Sequence, residues 1–120
     1  MSATLCSMAC CITTAFDNIH FVEPLGYLDI IFFVKNAKKI ITDSGGLHKE
    51  AFWLKIPSVV ILRNTAWSET LTGNCNILAS PDKDDIIEKV NNTVIDFSCY
   101  NHGYYGDGKT GEKIVDIISF

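Results

Sequence analysis

Residues 38 to 62 read KKIITDSGGLHKEAFWLKIPSVVIL, and the way this stretch folds decides the architecture. Ile40 and Ile41 close a short β-like run (residues 38–42) on the turn Asp43-Ser44-Gly45-Gly46. Beyond it Leu47, Ala51 and Leu54 recur four and then three apart, which draws one apolar stripe along a helix over residues 45–55 that Pro57 terminates. The run SVVIL at residues 58–62 is continuously apolar rather than alternating, which suits a strand covered on both faces, as in a parallel sheet. Parallel neighbours need a crossover helix, and the crossover is right-handed. The Ser-Gly-Gly turn therefore falls at the carboxyl end of a strand.

Working outward, residues 19–23 (IHFVE) predict a strand closed by Pro24 and Gly26. Residues 27–36 predict a mostly buried helix, with Leu28, Ile31, Phe32 and Lys35 at helical spacing. A short helix is expected after residue 62, then a strand at 76–79 (NILA). Ser80-Pro81-Asp82 opens an acidic first turn for a helix that buries Ile86, Ile87, Val90 and Val94. A last helix from about Lys109 is expected to bury Ile114, Val115, Ile117 and Ile118. This alternation predicts an α/β fold, Rossmann-like, with a mostly parallel sheet and helices on both faces.

The chain has 120 residues, nearly half of them apolar, a fifth charged, with a net charge of −4. That is the length and composition of one globular domain. Residues 18–120 are read as that domain and residues 1–17 as an N-terminal extension, with no charged start and an apolar run too short for a membrane span. Neither a nucleic acid nor a membrane is expected as a partner, because no dense Lys/Arg run appears. The five cysteines follow no repeated spacing and suit reduced thiols in a cytoplasmic protein. The cluster Cys6, Cys10, Cys11 lacks the spacing and the His partner of a zinc site, so no metal is expected.

The turn itself admits two readings. It is either a tight connection that needs small residues or an anion cradle. The first amides of a helix have no intrahelical acceptor and sit at the positive end of its dipole, which makes them a phosphate site. Glycines leave the backbone approachable, Ser44 adds a hydroxyl, and ligands of open α/β sheets bind at strand carboxyl ends. Glu50 lies one turn further along the same helix face and can lean back toward a ligand. A carboxylate repels phosphate, so its target would be a diol such as ribose. A helix terminus contributes about 0.3–1 kcal/mol to an exposed charge, whereas micromolar affinity needs about 8 kcal/mol. Further contacts are therefore required, and Arg63 and Lys109 are candidates. Asp43 reads as an N-cap.

Three segments carry a resemblance: Glu23-Pro24-Leu25-Gly26-Tyr27, then Thr42-Asp43-Ser44-Gly45-Gly46, then Gly106-Asp107-Gly108-Lys109. In this order and spacing, from about residue 18 onward, the chain resembles the C-terminal part of the non-hydrolysing UDP-N-acetylglucosamine 2-epimerases. The resemblance implies part of the C-terminal domain of a glycosyltransferase-B-type fold, with a UDP-sugar held between two domains. It implies that Ser44, Gly45 and Gly46 bind the diphosphate and that Glu50 binds the ribose. The family's chemistry eliminates UDP to a 2-acetamidoglucal and re-adds it on the other face, interconverting UDP-GlcNAc and UDP-ManNAc without a cofactor.

The same resemblance places the proton-transfer acids in an N-terminal domain, and a His and an Arg upstream of residue 18, where MSATLCSMACCITTAF shows no counterpart. No catalytic residue is assigned. In RNTAWSE (residues 63–69), Thr65, Trp67 and Glu69 match the family, Arg63 sits one place late, and Ala66 replaces an acid. His48 and Lys49 replace a Gln-Glu pair and are expected to face solvent. Trp53 is read as core, and Tyr104 and Tyr105 as packing. The partners implied are a UDP-sugar and either a separately encoded N-terminal half or a second copy of the chain. The isolated chain is expected to be inactive. The alternatives are a non-catalytic UDP-sugar-binding module and the donor domain of a glycosyltransferase.

Overall fold

The computed structural model describes residues 18–119. Its element order begins with helix α1 (Tyr27–Asn36), strand β1 (Ile40–Thr42), helix α2 (Gly45–Trp53) and strand β2 (Ser58–Ile61). A 3-10 segment (Ser68–Asn74) then leads to strand β3 (Asn76–Ala79) and helix α3 (Lys83–Asn92). Two short 3-10 turns (Phe97–Cys99 and His102–Tyr105) precede helix α4 (Thr110–Ile118). The readings placed on residues 1–17, the extension and its cysteine cluster, lie outside the described residues.

The strands form one parallel sheet in the order β1-β2-β3. Ile40 stands opposite Ser58, and Ser58 opposite Asn76. The continuous apolar run of β2 is explained by this central place: Val59 and Val60 are fully buried. The core continues through Val34, Ala51, Phe52, Cys75 and Ala79. Burying a side chain such as Phe52 contributes about 1.5–3 kcal/mol.

Two buried polar groups tie α2 to the sheet. Ser58 Oγ donates to Asn76 Oδ1 (2.6 Å), and Asn76 Nδ2 donates to the His48 carbonyl (2.9 Å). Each polar group is satisfied inside the core, as burial requires. At its far end α2 closes before Pro57: Lys55 adopts φ 56°, its amide donates to Phe52 O and the Ile56 amide to Ala51 O. This is the paired-bond helix stop that normally uses glycine.

Gly73 has φ +64°, and a Cβ there would lie 2.1 Å from the Asp96 carbonyl oxygen. The Asp96 amide donates back to the Gly73 carbonyl at 2.7 Å. The chain after α3 is thereby fastened to the 3-10 segment before β3.

Four expectations are corrected. Residues 19–23 form no strand: no described strand pairs with them, and Phe21 is exposed. A strand exists only where a ladder partner exists. Helix α1 buries only Val34, while Leu28 and Phe32 are 80% and 65% exposed. Helix α4 begins as expected, yet Ile114, Val115, Ile117 and Ile118 are all exposed. Helix α3 fully buries none of its expected face: Ile86 and Val90 are half-buried, Ile87 is 47% exposed, and Val94 lies beyond its end and is 81% exposed. Helical periodicity reveals an apolar face but not what covers it, and nothing among the described residues covers these.

Candidate functional site

The carboxyl ends of β1 and β2 lie side by side, with Thr42 opposite Val60. The chain leaves β1 through Asp43 and Ser44 into α2, and leaves β2 through Arg63 and residues 64–67 into the 3-10 segment Ser68–Asn74. Sequence neighbours of both strand ends therefore converge on one edge of the sheet, the edge where ligands of such folds bind.

Ser44, not the exposed Asp43, is the N-cap of α2. Its amide donates to Thr42 Oγ1 at 3.0 Å, its Oγ accepts from the Leu47 amide at 3.4 Å, and its carbonyl takes the first helical bond, from the His48 amide at 3.2 Å. The amides of Gly45 and Gly46 are left without an acceptor among the described residues. No acidic side chain stands in the first turn of α2. Helix α3 differs: Asp82 Oδ1 takes the amides of Asp84 and Asp85 at 3.0 and 3.1 Å, and both of those residues are acidic. The start of α3 is compensated by its own side chains; the start of α2 keeps two free donors and an uncompensated dipole.

The two glycines are not needed by the backbone. Neither has a positive φ. A Cβ on Gly46 would come no closer than 3.8 Å to any atom, Ser44 Oγ, and one on Gly45 no closer than 3.5 Å, to Trp67 Nε1. Those are ordinary van der Waals distances, so alanine fits at both positions. The space is free on the protein's own side, and what the glycines leave open is access to the amides.

Trp67 reaches this turn from the loop after β2. Its amide donates to Thr65 Oγ1 (3.1 Å), and its carbonyl accepts from the amide and hydroxyl of the buried Thr70 (3.0 and 2.7 Å). Its indole nitrogen stands beside Gly45, and the Lys49 ammonium lies 3.9 Å from the ring centroid. Lys49 is thus packed on the loop rather than projecting into solvent, and the contact is a cation–π one.

His48, also expected at the surface, is 1% exposed, and neither ring nitrogen has a hydrogen-bond partner. Burial, and then the neighbouring Lys49 charge, hold its imidazole below the usual histidine range, with Glu69 pulling the other way. Glu69 accepts from the Tyr105 hydroxyl at 2.8 Å. Its own backbone amide and then that hydroxyl hold the carboxyl below the usual carboxylate range. Burial and the bond to Glu69 push Tyr105 up. Neither His48 nor Tyr105 was nominated for the site. The Glu at residue 69 matched a family pattern, which was the one available signal.

Glu50 is half-buried on α2, one turn in from the glycines, and its carboxylate has no hydrogen bond or ion pair among the described residues. Arg63 is exposed just beyond β2. Lys109 is exposed at the start of α4, where its amide donates to Asp107 Oδ1 (3.0 Å) while Asp107 Oδ2 pairs with Lys113 (2.9 Å). The structure thus gathers Ser44, Gly45, Gly46 and Glu50 on one helix, adds Trp67 and Lys49 beside them, and ties the turn before Gly106 to Glu69. Phe52 packs against Tyr100, Tyr104 and Tyr105 behind this edge, while Trp53, read as core, is 42% exposed. Among the described residues no group of His, Cys, Asp and Glu could hold a metal ion, and no helix is long and apolar enough to cross a membrane.

Comparison with known proteins gives these features a family. The model of the UDP-N-acetylglucosamine 2-epimerase family matches residues 4–119, reaching into the stretch read as an extension. A UDP-N-acetylglucosamine 2-epimerase homolog of Methanococcus maripaludis is 41% identical over 103 residues, covering 86% of this chain and 29% of its own length. The structure of the Methanocaldococcus jannaschii UDP-GlcNAc 2-epimerase in complex with UDP-GlcNAc and UDP superposes with a TM-score of 0.72 at 37% identity, over 85% of this chain and 28% of that one. The Neisseria meningitidis UDP-GlcNAc 2-epimerase bound to UDP-GlcNAc superposes with a TM-score of 0.65 at 27% identity, over 82% and 28%. The chain spans under a third of the length of these relatives. With its parallel sheet, its Ser-Gly-Gly helix start and this match over nearly its whole length, the chain belongs to the UDP-N-acetylglucosamine 2-epimerase family, of which it represents a part.

Proposed function

We propose that the chain binds the UDP portion of a nucleotide sugar at the start of α2. The amides of Gly45 and Gly46 and the Ser44 hydroxyl take the diphosphate, the Glu50 carboxylate takes the ribose diol, and Arg63 supplies a cation from the neighbouring strand end. Residues 18–120 form the UDP-binding unit in this reading. The observation that carries it is the pair of unpartnered amides on glycines that the backbone does not require. An anion at a helix start is stabilised by both dipole and donors, and the M. jannaschii relative is described in complex with UDP-GlcNAc and UDP.

The activity proposed for the complete assembly is interconversion of UDP-GlcNAc and UDP-ManNAc. The resemblance places the proton-transfer acids in an N-terminal domain, so in this reading the chain supplies the nucleotide-binding wall and the proton-transfer groups come from a second surface. The uncovered apolar faces of α1 and α4 support a partner that buries them, either an N-terminal epimerase half or a second copy. A cytoplasmic place suits a nucleotide-sugar enzyme with the free thiols Cys75 and Cys99. A glycosyltransferase donor domain is the lesser reading, disfavoured by the family match.

Isothermal titration of the full chain with UDP tests the site. Saturable binding that disappears in Gly46→Asp, whose carboxylate would occupy the amides and repel phosphate, is the expected result. Absence of binding by the wild-type chain, or its survival in the variant, would overturn the assignment.

A further inference from the structure

The Trp67 indole is a hydrogen-bond donor that the fold leaves unused. An indole N–H donates and cannot accept, and it ordinarily finds a partner once its ring is shielded from water. Trp67 is half-buried, yet its N–H has no acceptor among the described residues. Glu69, the acid two residues further on, accepts from the Tyr105 hydroxyl instead (2.8 Å). The indole nitrogen stands 3.5 Å from the point a Cβ on Gly45 would occupy. On a helix that point is tilted toward the N-terminus, so the indole edge lies at the start of α2 and not along its flank. A backbone nitrogen lies about 2.5 Å from its own Cβ position, which puts the indole nitrogen within about 6 Å of the Gly45 amide nitrogen. A phosphate group accepting at about 2.9 Å from each side spans that gap.

Nothing in the anchoring of the loop requires an indole. Trp67 is held through its main chain, by Thr65 Oγ1 at the amide (3.1 Å) and by the amide and hydroxyl of Thr70 at the carbonyl (3.0 and 2.7 Å). Lys49 is four residues beyond Gly45, hence on the same face of α2, and its ammonium lies 3.9 Å from the ring centroid. A phenyl ring also offers a face to that cation. What only the indole adds is its N–H. We propose that Trp67 is a further substrate-binding residue, whose indole N–H donates to the diphosphate alongside the amides of Gly45 and Gly46. The proposal rests on the reading of that turn as the diphosphate site. Hydrogen bonds to a charged acceptor are stronger than those between neutral partners. The donor also comes from the loop after β2 rather than from α2, so an occupied turn ties the two strand ends together.

NMR and calorimetry of the full chain, with UDP as the probe, test this. On saturation the Trp67 indole proton is expected to move downfield and to exchange more slowly with water, together with shifts of the Gly45 and Gly46 amides. The indole proton of Trp53, at the other end of α2, is expected to stay where it is. Trp67→Phe keeps a ring between Gly45 and Lys49, so its melting temperature should be unchanged. Its affinity for UDP is expected to be about tenfold weaker, the loss of one hydrogen bond to a charged group. Binding that shifts the glycine amides but not the Trp67 indole proton overturns the role of Trp67 and leaves the anion site standing. So does a Trp67→Phe chain that binds as tightly as the wild type. If the wild-type chain does not bind UDP, or binds it without moving the glycine amides, the anion site falls and the proposal with it. Should Trp67→Phe fold poorly, the indole proton of the wild-type chain decides.

Discussion

The Trp67 indole nitrogen stands 3.5 Å from the point a Cβ on Gly45 would occupy, so the loop after β2 closes on the helix that follows β1 without overlapping such a Cβ. Gly45→Ala is therefore expected to keep the fold. Alanine reduces the freedom of the unfolded chain and favours helix, so unfolding should be unaffected or up to about 1 kcal/mol more costly. Affinity for UDP should nonetheless fall about tenfold, roughly 1.4 kcal/mol, because the methyl stands over the amide. Thermal denaturation and calorimetry on the same sample separate the two effects; a large loss of stability would mean that the glycine serves the turn.

Ser44 separates capping from binding in another way. Its bond to the Leu47 amide is long at 3.4 Å, so Ser44→Ala is expected to cost toward the lower end of the capping range, about 0.5–1 kcal/mol. Ser44→Asp should cap at least as well and complement the dipole, preserving or raising stability, yet repel a diphosphate. Denaturant titration and UDP binding should thus move in opposite directions in this variant. A variant that is both more stable and equally tight would remove Ser44 from the binding set.

Much of the fold was legible because it is local. The β2 run, the β3 run and the spacing of Leu47, Ala51 and Leu54 each carry their own period, and the observed elements fall within a few residues of those limits. The helix start was legible to within one residue, the cap falling on Ser44 and not on the expected Asp43. His48 was not: its neighbours in sequence, Lys49 and Glu50, suggest a polar face, and its burial comes from tertiary packing that no helical period encodes. Tyr105 was read as packing because its bond to Glu69 spans 36 residues. The error at α1 and α4 ran the other way. Their apolar stripes were read correctly as stripes, but burial depends on a covering surface, which periodicity does not report.

Gly73 is the glycine whose absence of a side chain the fold does require. A Cβ would lie 2.1 Å from the Asp96 carbonyl oxygen, at a φ of +64°. Gly73→Ala must displace backbone, breaking the bond from the Asp96 amide and releasing the chain after α3 from the segment before β3. A loss of about 2–4 kcal/mol is expected, the range of strained or overpacked positions. Chemical denaturation measures it. A change within 0.5 kcal/mol, about what a surface substitution gives, would contradict the close approach.

The free chain should lose stability on mild acidification, and His48 sets where. The unfolded imidazole takes its proton near its ordinary value of 6.5, whereas burial and Lys49 keep the folded one neutral to lower pH. Below 6.5 the unfolded state therefore binds more protons, so the unfolding free energy falls as pH drops toward the folded value and is fully retained above 6.5. Glu69, Asp96 and Asp107 also have lowered folded values, but as carboxylates they act in a more acid window, below about pH 4. On the alkaline side the raised Cys75 thiol favours the protonated folded form, so stability declines again as pH climbs past 9. Melting temperature against pH should show a plateau around neutrality, a first acid step that opens below 6.5 and a second in the carboxylate range. His48→Gln removes the first step and leaves the second; a first step that persists in that variant would assign the titration to another group.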